Sequence, residues 1–147
     1  MDYMKALALI ALLLLSLITT AATEVPVFLN QDYNLVKEVD YLLDETNSLR
    51  LEELLQSHEW KAFDRKMVNF GFIKPTLWLR FKVVAQEEGD WVLHTTYPLL
   101  DFFESTGIIN GRMGKTTYTG DLVDFSNRPI NNPGFVFPYS LSKGDVL

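Results

Sequence analysis

The sequence predicts an all-β fold, an antiparallel sandwich or barrel, carrying one short helix. Three observations predict it. From Trp60 onward, short alternating segments are divided by turn-forming residues at close spacing. Only the segment around Leu51, Leu54 and Leu55 shows the i, i+3, i+4 period of a helix. The 13% of aromatic residues marks a packed domain, and 147 residues suffice for one domain with a core of its own.

Taken in order, the chain opens with a polar start from Met1 to Lys5, then an apolar run from Ala6 to Ile18 broken only by Ser16. Thr19, Thr20, Ala21 and Ala22 supply a small-residue exit. This is the layout of a secretory signal peptide, residues 1–22, with cleavage expected near Ala22. An uncleaved anchor is the other reading, because the uncharged stretch from Ala6 to Thr23 almost reaches the length of about 20 residues a spanning helix needs. No Cys follows, which excludes lipid attachment at an N-terminal thiol.

Residues 23–36 read as a linker or an edge strand, with Val25 to Leu29 as the strand candidate. The β-rich domain is expected over 37–147. Lys37 to Leu43 alternates weakly and ends in the turn cluster Asp44-Glu45-Thr46-Asn47-Ser48. The helix follows, with Glu52 and Glu53 in its first turn, where the macrodipole favours acids. Arg50 stands at its cap position, a poor choice. Trp78 to Val84 alternates, which places Leu79, Phe81 and Val83 on one face and Trp78, Arg80 and Lys82 on the other. Trp91 to Tyr97 is the next strand, with Trp91, Leu93, Thr95 and Tyr97 on one side. Strands are expected again over Leu99–Thr106, Lys115–Gly120 and Phe135–Leu141. Asn110-Gly111 is a tight-hairpin dipeptide, and Asp121 to Gly134 is a loop. Lys143-Gly144-Asp145 is a turn that should feed another strand, so the sandwich is expected to lack its closing strand or strands beyond Leu147.

Composition narrows the function. A net charge of -6, without a Lys/Arg cluster, argues against a nucleic-acid partner. The absence of cysteine excludes thiolate zinc sites and disulfide stapling. Catalysis has little support. His58 and His94 are the only histidines, no nucleophile turn accompanies them, and nothing selects a carboxylate pair. Asp121 and Asp124 share a loop, but calcium takes six to eight oxygens. Neither a cofactor nor a metal is expected.

Five segments resemble one family in the family's own order: "YLLDETNSLRLEELLQ" (Tyr41–Gln56), "FGFIKPTLWLRFKV" (Phe70–Val83), "WVLHTTYPLLDFF" (Trp91–Phe103), "TGDLVDFSNRPI" (Thr119–Ile130) and "FVFPYSL" (Phe135–Leu141). They resemble the periplasmic sensor domain, second extracellular type, of bacterial seven-transmembrane receptors with diverse intracellular signalling modules. The resemblance implies a jelly-roll-like β-sandwich similar to carbohydrate-binding modules, lying in the periplasm ahead of a membrane receptor part that this chain lacks. It implies a non-catalytic sensor of a small-molecule or carbohydrate ligand. A free secreted protein like a carbohydrate-binding module is the alternative.

Four residues are expected to contact that ligand. Trp78 and Arg80 share a strand face, where an indole can stack on a sugar and a guanidinium can fork onto hydroxyls or a carboxylate. Asp101 and Arg128 lie in segments that match the family's motifs. The competing reading makes Arg80, Asp101 and Arg128 internal ion-pair or loop-anchoring groups and Trp78 ordinary core.

Overall fold

The computed structural model describes residues 22–95, 97 and 99–147. The segment expected to be a signal peptide, residues 1–22, therefore lies, apart from Ala22, outside the described residues. The described chain is all-β in class, of the antiparallel sandwich type, with one α-helix and no closed barrel. It divides into two compact units.

The first unit includes Val36–Arg80. Its three-stranded antiparallel sheet has β2 (Asp40–Asp44) at the centre, flanked by β3 (Lys61–Ala62) and β4 (Thr76–Arg80); β1 (Glu24–Val27) belongs to the other unit. The register sets Asp40 opposite Arg80, Leu42 opposite Trp78 and Asp44 opposite Thr76. Leu42 and Asp44 are buried, so this is the enclosed face. Trp78 and Arg80 thus stand on the enclosed face and Leu79, at 41% exposure, on the open one. The grouping of these three is the one alternation predicts; the departure is Val83, expected to share the face of Leu79 but buried. The reason is local: the alternating stretch breaks at Phe81 into two strands with different partners.

The turn after β2 is an Asx turn. The Asp44 carboxylate accepts hydrogen bonds from the Thr46 N–H (3.0 Å), the Thr46 hydroxyl (2.7 Å) and the Leu49 N–H (2.9 Å). Burial works to raise its pKa, but these bonds outweigh burial and hold the carboxyl below its ordinary value. Helix α1 (Leu51–Gln56) follows where the period placed it. Its start is secured from within: Glu53 Oε2 accepts from the Arg50 N–H at 2.8 Å, the acidic half of a capping box. A guanidinium has no acceptor, so Arg50 cannot supply the other half.

The second unit holds Thr23–Leu35 and Phe81–Leu147. Strand β1 (Glu24–Val27) runs parallel to β5 (Lys82–Ala85), an exception to the antiparallel expectation. The last residues lie on the other edge of β5: Val83 and Leu147 exchange backbone bonds of 2.8 and 3.0 Å, and Val146 bridges Val84. The turn at Lys143-Gly144-Asp145 thus delivers the chain onto β5.

The longest pair is β6 (Gly89–Thr95) with β11 (Phe135–Leu141). Its register sets Trp91, Leu93 and Thr95 opposite Tyr139, Phe137 and Phe135, the shared face predicted by alternation. Strand β7 (Phe103–Ser105) pairs with β10 (Thr117–Thr119), shorter than the strands expected there. Between them β8 (Ile108–Ile109) and β9 (Arg112–Met113) form the hairpin around Asn110-Gly111, both at positive φ as a primed turn requires. Phe103 meets the rings of Phe135 and Phe137 at 5.3 Å each. Phe135 and Phe137 are almost fully buried; each such ring contributes about 1.5–3 kcal/mol of transfer free energy.

Candidate functional site

Pairing register builds a recess on the second unit. Ser105 and Thr117 are directly opposite in the β7–β10 ladder, so their side chains share one face of it. Thr106 and Thr116, one step along, bond each other at 2.8 Å. Past the end of the ladder, Gly114 N–H closes back onto Gly107 C=O at 2.9 Å, which brings Gly107, Ile109 and Lys115 beside the paired hydroxyls. Phe137, Pro138 and Tyr139 of β11 complete the wall, with Pro129 from the long loop. These residues enclose an open recess of about 290 Å³.

The chemistry of that lining is uneven. Ile109, Pro129, Phe137 and Pro138 are apolar. Ser105, Thr117 and Tyr139 carry hydroxyls that form no hydrogen bond with any described residue. Lys115 is exposed, is the one ionised side chain in the lining, and forms no ion pair among the described residues. A mostly apolar wall with a few convergent polar groups is the make-up of a small-molecule site.

The four residues singled out from the sequence stand elsewhere. None of them lines the recess. Trp78 and Arg80 are two apart on β4 of the first unit. The Arg80 Nε and Nη2 donate to Asp40 Oδ2 at 3.0 and 2.9 Å, and its guanidinium lies 4.5 Å from the centre of the Trp60 ring. The Trp60 indole in turn donates to Leu54 C=O at 3.0 Å, tying the pair to α1. Trp78 is half-buried, and its Nε1 is enclosed with no hydrogen-bond partner among the described residues.

Arg128 belongs to the second unit. Its Nη1 donates to the carbonyls of Asn132 (2.9 Å), Pro133 and Gly134, while its guanidinium carbon lies 4.7 Å from the centre of the Phe125 ring and 4.7 Å from that of the Phe135 ring. Asp101, also in that unit, is exposed, and its carboxylate has no partner among the described residues. Its backbone is engaged: Leu122 N–H donates to Asp101 C=O at 3.2 Å. Gly120 makes that crossing possible, since a Cβ there would sit 2.1 Å from the Asp101 carbonyl oxygen.

Sequence reasoning missed Ser105, Lys115, Thr117 and Tyr139. The richness of 115–120 in Thr and Tyr is visible in the sequence, but it read only as β propensity. What converts these residues into one surface is the cross-strand register.

The architecture defines the class first: an all-β domain of the sandwich type with a small open recess on one unit. The family model described as 7TMR-DISM extracellular 2 matches residues 36–146, and the chain belongs to that family, the extracellular sensor domain of 7TMR-DISM receptors. No curated protein and no solved structure matches the chain.

Proposed function

We propose that this chain is the ligand-sensing extracytoplasmic domain of a transmembrane signalling receptor, acting by binding and not by catalysis. The observation that carries the reading is the family match over residues 36–146; the open recess supports it. Export through residues 1–22 would place the domain in the periplasm. No helix among the described residues is long and apolar enough to cross a membrane. Membership of an extracellular receptor domain family is what would put the spanning and output parts in other segments of the receptor. A ligand that prefers one arrangement of the domain over another shifts the receptor by that difference in affinity and by nothing else.

Ligand contact is proposed for the recess first. Asp101 remains a candidate through an exposed carboxylate, and Trp78 through the exposed part of its ring, its N–H being enclosed. Arg80 and Arg128 enter the same test with guanidinium groups already engaged in the fold.

The test is thermal unfolding of the purified protein against a panel of monosaccharides, oligosaccharides and small carboxylates, with hydrolysis of the same panel followed in parallel. A saturable upward shift without turnover supports the reading; at a hundredfold excess over Kd it corresponds to about 2.7 kcal/mol. Turnover of a glycoside or ester would replace it with an enzyme. Binding confined to polysaccharide, with neither monomer nor carboxylate effective, would favour a free carbohydrate-binding module.

A further inference from the structure

We infer that the recess beside Lys115 takes a small hydroxylated monoanion, a sugar acid or hydroxy acid, with the carboxylate at Lys115 and the hydroxyls along Ser105, Thr117 and Tyr139. This deepens the sensing reading and rests on it.

Size comes first. A volume of about 290 Å³ holds the liquid share of about ten waters, which is the size class of one sugar ring or a six-carbon acid; a longer saccharide would seat one ring here and leave the rest outside. Charge comes second. The chain carries six net negative charges, yet no carboxylate lines this recess and its one ionised group is an ammonium. An anion is therefore met by a cation here, while the protein at large repels it.

Hydrogen bonding is the third constraint. Three hydroxyls without internal partners stand along the lining, two of them opposite each other in the β7–β10 ladder. Each hydroxyl donates one bond and accepts two, so the set suits a ligand that both donates and accepts, as polyol hydroxyls do. The neighbouring pair Thr106–Thr116 satisfies itself across the same ladder at 2.8 Å, which shows that hydroxyl pairs here can close on each other; Ser105 and Thr117 do not. The apolar wall of Ile109, Phe137 and Pro138 suits the C–H face of such a molecule.

The experiment is isothermal titration of the protein, purified after export of the full chain, with D-gluconate, D-glucuronate, D-glucose and D-glucosamine. The acids are expected to bind at least tenfold more tightly than glucose, and glucosamine more weakly than glucose. K115M is expected to lower acid affinity about tenfold or more, bringing it to that of glucose, with K115R retaining most of it. Lys115 is exposed, so an unchanged unfolding temperature of K115M would confirm that the loss is local. Y139F and S105A are expected to weaken acids and glucose alike. Equal affinity for glucose and glucuronate would overturn the monoanion assignment and leave the sensing reading standing. Wild-type affinity in K115M would remove the carboxylate from this recess. Binding by none of the four probes would overturn the inference, and the wider ligand panel would then judge the sensing reading separately.

Discussion

Single residues show where the fold tolerates no substitute and where it leaves room for improvement. Gly120 has φ +148° and no space for a Cβ against the Asp101 carbonyl. G120A is expected to destabilise the protein by about 3 kcal/mol or more through overpacking and backbone strain, read as a lower urea midpoint. Thr119 is the opposite case. It is fully buried, and its hydroxyl has no partner among the described residues. T119V keeps the shape and removes an unsatisfied group, so it should be neutral or stabilise by about 1 kcal/mol; a clear loss would reveal a hidden partner. Arg128 is fixed by one nitrogen, Nη1, among three carbonyls and by a flat guanidinium against two Phe rings, which Lys lacks. R128K should cost about 1–3 kcal/mol, since an ammonium has no planar face to lay against the two Phe rings.

Elements in this protein are secured by short local devices more than by length. The six-residue helix α1 is too short to stand on propensity, and Glu53 reaching back to Arg50 is what holds its first turn. E53A should cost about 1 kcal/mol. The β8–β9 hairpin is held at a second point. Asn110 donates through Nδ2 to Asp145 (2.7 Å) and accepts through Oδ1 from the Val146 N–H (2.9 Å), while its own N–H meets Val146 C=O (2.9 Å). N110G preserves the positive φ and removes only the side-chain bonds. It should speed hydrogen exchange at the Val146 amide about tenfold and leave the β6–β11 amides unchanged.

Across the whole molecule, acid stability follows from three capping carboxylates. Asp124 is lowered by the hydroxyl and N–H of Ser126, and Asp145 by the Ser142 N–H and Asn110; Asp44 is lowered in spite of burial. An unfolded Asp titrates near 3.9. Because the folded values lie below it, their stabilisation is complete above about pH 4 and is lost as pH falls through the folded values. Urea midpoints measured from pH 7 to pH 2.5 should fall steeply only below about pH 4, and D44N should flatten part of that fall.

Local period and segment order are legible in the sequence; pairing between distant strands is not. The helix and the Phe135–Leu141 strand were legible because each rests on local period. The family was legible because its segments occur in order. That Trp78 and Arg80 stand on the enclosed face was not, since a break at Phe81 and the pairing with Leu42 and Asp40 decide it. The recess was hidden for the same reason: Ser105 and Thr117 are twelve positions apart, and only the β7–β10 register makes them neighbours.

Gly107 carries one further consequence. A Cβ there would press to 2.4 Å from the Tyr139 ring and 3.2 Å from the Leu147 side chain, so this bare backbone is the shim between a wall of the recess and the strand end on β5. Close-packed interiors compress little. A methyl group at position 107 would have to displace the Tyr139 ring, and with it a wall of the recess, or the Leu147 side chain. Tyr139 and Leu147 are thus fitted to each other around a residue with no side chain.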